Sequence, residues 1–257
     1  MSHPDEGADI SSRANPALGR RCLKKIALAV TLCVVAGTVL VVQHAKAYGI
    51  MARIHHGLIV CTTSTSPDAF TASTHEGMPA MLRLEVSSKP DGQLIVGPDI
   101  STLGASTLAS VLNSAYRAHT LLMLDLNQTD PKTVTQLIRS AHMRDRVILI
   151  ASDRKSQEDA LRADRKVMIA FPIHSERDAY AAHKMAGRHP YAAYLAPTAA
   201  PSLFALAHRD AEAIITENPV TSQAAENEFL AERPVDIVVT QDPAHLANNT
   251  QHPNSNS

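Results

Sequence analysis

Arg83 and Glu85 lie two residues apart in the apolar run MLRLEV (81–86), and Asp125 closes a second run, TLLMLDL (120–126), with Asn127 just beyond it. Glu217 and Asn218 follow AEAIIT (211–216), Gln241 and Asp242 follow VDIVVT (235–240), and Asp99 follows QLIV (93–96). Carboxylates gathered at strand ends suit a hard divalent cation such as Ca²⁺ or Mg²⁺, which takes oxygen ligands. An arginine among them suits an anionic ligand, because its planar fork matches phosphate; alternatively it neutralises the acids inside the fold. Hydrolysis at such a place would also need a proton acceptor and a proton donor. The 13 histidines are scattered and read as solvated surface, and HEGMP (75–79) lacks the second histidine of a helical zinc signature. Cys61, near the end of GLIVCT (57–62), has no identifiable base to activate it and reads as a buried structural cysteine. Asp99 has a structural reading too, since aspartate in turns accepts backbone N–H bonds.

The elements that must position these groups repeat regularly. LRLEVSSKPDGQLIVGPD (82–99) reads as a strand, a tight turn and a short return strand. Apart from that return, eight runs have strand character: 57–62, 81–86, 120–126, 147–152, 167–173, 191–196, 211–216 and 235–240. Between them lie amphipathic stretches such as STLASVLNSAYRA, DPKTVTQLIRSAHM, SQEDALRAD, SERDAYAAHKMAG and SQAAENEFLAE, several opening on Ser or Asp as N-caps do. Continuous apolar strands covered by intervening helices imply a parallel sheet. Eight of them imply a compact α/β fold of the (β/α)8 barrel type, whose sites assemble at the strand C-termini. Glu217, Asn218, Gln241 and Asp242 are then mouth-lining candidates. An open doubly wound sheet is the alternative, but CTTSTSPDAF after the first strand has no glycine for a phosphate loop.

Composition narrows the partners. The chain of 257 residues has a net charge of −1, 4% aromatics and no Trp. It lacks the basic excess of a nucleic-acid surface. Of its three cysteines, two lie in the N-terminal segment, which excludes a disulfide scaffold in the main domain. Residues 1–25 are polar and end in the basic flank RRCLKK (20–25). The uncharged stretch IALAVTLCVVAGTVLVV (26–42) follows, and the segment 26–43 reads as a transmembrane anchor or a signal core. Its basic flank puts the N-terminus in the cytoplasm and the remainder on the exported side. AKA (45–47) matches a cleavage site, so the alternative is secretion after cleavage following Ala47. The tail 248–257 is polar and of low complexity.

Three stretches together resemble the glycerophosphodiester phosphodiesterase family, a (β/α)8 barrel, over most of residues 57–247. They are LRLEVSSKPDGQLIVGPDISTL, LLMLDLN (121–127), and the C-terminal pair AEAIITENP and ERPVDIVVTQDPAHL. The resemblance implies two catalytic histidines, a divalent cation and a phosphodiester substrate. It also places this chain's departures on that chemistry. Thr62 and Thr63 stand where the family has His-Arg, Pro98 stands at the second histidine, and Arg83 stands at the first metal-binding Glu. Glu85 and Asp125 fall at the other metal positions, Asn127 falls at the family lysine, and Asp68 is a further acid after the first strand. Thr and Pro do not titrate near neutral pH. An arginine near the cation costs about 4 kcal/mol for each unit of charge at about 4 Å and an effective dielectric near 20. The resemblance therefore implies a degenerate member that binds a phosphorylated or polyol small molecule, or a protein partner. The alternatives are an active phosphodiesterase with a rearranged acid site and a structural envelope protein.

Overall fold

The computed structural model describes residues 49–54, 58–63, 81–97, 105–218 and 223–241, all within the compact unit Ala47–Ser257. The apolar stretch 26–42 lies outside the described residues, as do Asp68, Pro98, Asp99 and Asp242. Among the described residues no helix is long and apolar enough to cross a membrane.

Eight strands close a parallel barrel: β1 (Ile59–Thr63), β2 (Met81–Ser88), β4 (Leu121–Asp125), β5 (Val147–Ile150), β6 (Met168–Ile173), β7 (Tyr191–Leu195), β8 (Ala213–Glu217) and β9 (Ile237–Thr240). Each pairs with its neighbour, and β1 closes the ring by pairing with both β2 and β9. This is the (β/α)8 architecture expected from the pattern. β3 (Leu94–Val96) is the return strand, antiparallel to β2. Its turn is built as the sequence asks: Lys89 and Gln93 close it, Asp91 accepts from the Gln93 N–H, and Gly92 takes φ +82°. That left-handed conformation favours glycine.

Among the described residues six helices cover the strands: α2 (Leu108–Ala118), α3 (Pro131–Ser140), α4 (Arg154–Ala163), α5 (Glu176–Ala186), α6 (Pro201–Asp210) and α7 (Gln223–Glu232). Thr107, Asp130, Asp153 and Ser175 cap α2, α3, α4 and α5 by accepting N–H bonds from their first turns. Each such cap contributes about 1 kcal/mol. A short helix, α1 (Met51–Ile54), precedes β1.

The strand period of two divides the core. One set of side chains points inward: Ile59, Cys61, Met81, Met123, Ile148, Met168, Ala192, Ile215 and Val239 form a single buried cluster. Ile50, Met51 and Ile54 join it, so α1 belongs with the N-terminal ends of the strands and the folded unit begins before residue 57. The alternate set points outward and packs under the helices, with Leu82, Leu84, Leu122 and Leu124 beneath α2 and α3. Ile169, Phe171, Ala193 and Ile214 do the same beneath the helices from α4 onward.

Candidate functional site at the barrel mouth

Moving two residues up from the inner apolar cluster changes the chemistry on five strands, while β5 and β6 stay apolar with Ile150 and Ala170. Cys61 gives way to Thr63, Met81 to Arg83, Met123 to Asp125, Ala192 to Tyr194 and Ile215 to Glu217. Strand parity keeps all five on the inner face. Register sets Thr63 opposite Arg83 and, two residues further along β2, Glu85 opposite Asp125.

Arg83 is the centre of the arrangement. Its Nη2 donates to Asp125 Oδ2 at 3.1 Å, and its Nη1 donates to Tyr194 Oη at 3.0 Å and to Glu217 Oε1 at 3.4 Å. Tyr194 Oη donates in turn to Glu217 Oε1 at 3.1 Å, and the guanidinium carbon lies 5.6 Å from the centre of the Tyr194 ring. One cation is thus shared by two carboxylates and stacked on an aromatic ring, a geometry worth more than a simple ion pair. Beside it, the Asn127 amide donates to Glu85, and the Asn127 backbone N–H reaches Asp125 Oδ1 at 3.4 Å. Asn127 has a positive φ of 29°, and Gln128 follows at 63°. The turn after β4 therefore bends back to aim the amide at the mouth.

The electrostatics follow from this packing. Burial works against the Arg83 charge, but Tyr194, Asp125 and Glu217 outweigh it and hold its pKa above the ordinary value. Burial pushes the Tyr194 phenol up; Arg83 opposes that and Glu217 adds to it. Burial also drives the Cys61 thiol upward, against a smaller pull from Arg83. Neither Tyr194 nor Cys61 supplies or takes a proton near neutral pH, and Cys61 is the buried structural residue its context suggests.

Among the described residues, the donor set does not fit a divalent cation. Asp125 is paired with Arg83, Glu85 is taken up by Asn127, and the described residues contain no group of three or more His, Cys, Asp or Glu placed to hold an ion. The guanidinium occupies the space among the acids, and a metal there would meet its charge directly. Glu85 and Asp125 do lie on adjacent strands at the mouth, but as partners of Asn127 and Arg83.

The remaining expected positions divide. Glu217 is at the mouth, with its side chain 56% exposed. Asn218 follows it with its Oδ1 buried and without a hydrogen-bond partner, and Gln241 is exposed at the end of β9. Thr62 sits opposite Leu82 and Thr240, on the outward parity, so Thr63 is the residue that shares the face of Arg83. Asp68, Pro98, Asp99 and Asp242 lie outside the described residues. Tyr194 was not singled out by its sequence. In YAAYLA it looks like one more strand aromatic, and only its position two residues after the inward Ala192 marks it.

A groove of about 1050 Å³ lies elsewhere, outside the barrel between α4 and α5. Its floor residues Leu161, Phe171 and Ala182 are already buried, and the Arg154 and Arg162 guanidiniums on its rim are paired with Glu158. It is a gap in the helix ring and shares no residue with the Arg83 cluster.

No family model matches the sequence, and no curated protein matches it. Solved structures do. A glycerophosphoryl diester phosphodiesterase from Parabacteroides distasonis superimposes with a TM-score of 0.63 at 14% identity, covering 76% of this chain and 86% of that one. A phosphodiesterase from Oleispira antarctica, solved with the product sn-glycerol-3-phosphate, gives 0.61 at 7% identity over 76% of this chain and 98% of that one. Tryptophan synthase from M. tuberculosis gives 0.55 at 13% identity, covering 77% and 94%. The last of these shows that the likeness speaks of fold and leaves chemistry to the site. This chain has the barrel fold of the glycerophosphodiester phosphodiesterases, the family its strand-end motifs resemble.

Proposed function

We propose that this chain is a glycerophosphodiester phosphodiesterase-like barrel that has lost metal-dependent hydrolysis and binds a small polyol at its mouth. In this reading the N-terminal segment holds it at a membrane, with the barrel on the exported side. The observation that carries the reading is Arg83 bound by Asp125, Tyr194 and Glu217. A guanidinium there supplies fixed positive charge and takes the carboxylate that a metal would use. The residues there offer acceptors in excess: Asp125 and Glu217 share one arginine, and Glu85 accepts from the Asn127 amide beside them. Carboxylates accept readily from hydroxyls and repel a phosphate dianion, so a polyol suits this lining better than a phosphorylated ligand.

Hydrolysis of glycerophosphodiesters and of an aryl phosphodiester tests it, with and without Ca²⁺ or Mg²⁺ and beside an Asp125→Ala variant. The reading expects no turnover by a folded sample under any condition. Metal-dependent turnover abolished by Asp125→Ala would overturn it and establish the rearranged acid site instead.

A further inference from the structure

The two ends of the barrel differ in charge. At the mouth, the strand ends and the first turns of α3 and α4 carry Glu85, Asp125, Asp130, Asp153 and Glu217 against Arg83, Lys132, Arg154 and Lys155, so the charges there nearly balance. At the opposite, N-terminal end, Arg165 and Lys166 follow α4 and Arg188 follows α5. All three are exposed, and among the described residues no carboxylate lies within ion-pair distance of them. The acids of that face are engaged elsewhere. Asp164, 3% exposed, pairs with Arg139 and Arg144; Asp145 pairs with Arg53; Asp236 accepts from the Ile214 N–H. Asp210 pairs with Arg209 and Glu232 with Arg233, and among the described residues Glu212 is the exposed acid of that face left without an ion-pair partner.

The chain enters the barrel through this same face. Ile50, Met51 and Ile54 pack into the inner cluster with Ile59, Met81 and Leu121, the first or second inward residues of their strands. Six residues, 43–48, separate the uncharged stretch 26–42 from Gly49. That tether spans at most about 20 Å when fully extended.

We propose that the N-terminal face of the barrel, through Arg165, Lys166 and Arg188, lies against an anionic bilayer, so that the mouth opens away from the lipid. This rests on the membrane reading given under Proposed function. Charge complementarity and the short tether select the same face independently. Each basic side chain near an anionic surface strengthens attachment roughly fivefold, within about one Debye length.

The test uses the full chain with Cys22 and Cys33 replaced by Ser and a fluorophore on Glu212→Cys or, in a second sample, on Ser152→Cys. These exposed positions lie on the N-terminal face and the mouth side respectively. The chain is reconstituted into phosphatidylcholine vesicles, or into vesicles of phosphatidylcholine and phosphatidylglycerol in equal parts, with headgroup-nitroxide lipid as quencher. Quenching at position 212 should exceed that at 152 by roughly threefold or more in the anionic vesicles. The excess should shrink in the Arg165→Glu/Lys166→Glu/Arg188→Glu variant and at about 0.5 M salt. Equal or reversed quenching, or an excess that ignores charge reversal, overturns the orientation while leaving the anchor standing. No association with either vesicle overturns the anchor and this proposal together. Stronger binding of the same three residues to a DNA duplex than to the anionic vesicles also overturns it. A thermal melt of the triple variant that matches the parent shows that its fold is intact.

Discussion

The lower and upper inner layers of the barrel are built on the same strands, two residues apart, and they obey different rules. Below, Met81, Met123, Ile148 and Met168 are at most 1% exposed and hold nothing polar among them. Above, Arg83 and Asp125 keep about a quarter of their side-chain surface exposed, 24% and 23%, and are held by hydrogen bonds and an ion pair. The lower layer can be filled by any side chain of the right volume, because dispersion and burial have no direction. The upper layer works only if its hydrogen-bonding groups meet at the right angles. The fold therefore depends on the first layer and the chemistry on the second. That is how a barrel fold shared with phosphodiesterases and with tryptophan synthase leaves the chemistry of its mouth to the residues that line it.

The largest effect that separates the layers is Met123→Ala. It opens a cavity in the closed lower layer and should cost about 2–5 kcal/mol, read as a lowered denaturant midpoint with an unchanged slope. Arg83→Gln should cost less, about 1–3 kcal/mol, by stranding Asp125 and Glu217 beside each other. A double variant with Asp125→Asn should recover part of that loss, and a coupling of about 0.5–3 kcal/mol would show that the pair acts as a unit. Additive losses would mean that Arg83 and Asp125 are merely neighbours in the mouth.

That division also explains what the sequence could convey. All eight barrel strands and the return strand appear within about two residues of where their apolar runs place them, because buried parallel strands have an unmistakable composition. α6 shows no side-chain cap, since Ala200 occupies the cap position, and PSLFALAHRD carries no start signal beyond its proline. α1 has only four residues, too few to show a period. At the mouth, the meeting of Arg83 with Asp125 is legible as an option, because both stand at strand ends. The choice between Thr62 and Thr63 is not, because parity in β1 is set by pairing with Leu82 and Thr240 far along the chain. Tyr194 is hidden for the same reason: its role exists only once β7 and β2 face each other across the barrel.

Titration sharpens the contrast between a layer with protons to lose and one without. Unfolded tyrosines ionise near pH 10. In the fold, burial holds the Tyr194 phenol above that value, and burial followed by Asp210 pushes Tyr191 up to about 12. The folded state therefore binds more protons than the unfolded state above pH about 10, and stability must fall as pH rises through that window. Below it both states keep these protons, and neither group contributes a slope. Tyr194→Phe should flatten part of the alkaline loss in urea melts taken at rising pH. An unchanged slope would assign the effect to Tyr191 and to Cys61, whose thiol is also pushed up by burial.

The smallest effect belongs to neither layer and sets the floor for reading the others. On α4, Glu158 pairs with Arg154 at 3.1 Å and with Arg162 at 3.0 Å, and these arginine side chains are 82% and 70% exposed. Such pairs are screened by water and salt and lose side-chain entropy when they form. Glu158→Ala should change stability by no more than about 0.5 kcal/mol, and the difference should vanish at high salt. A loss as large as that of Arg83→Gln would show that ion pairing on the outer helices contributes as much as pairing inside the mouth. The mouth's arginine would then have no special standing in the energetics of the fold.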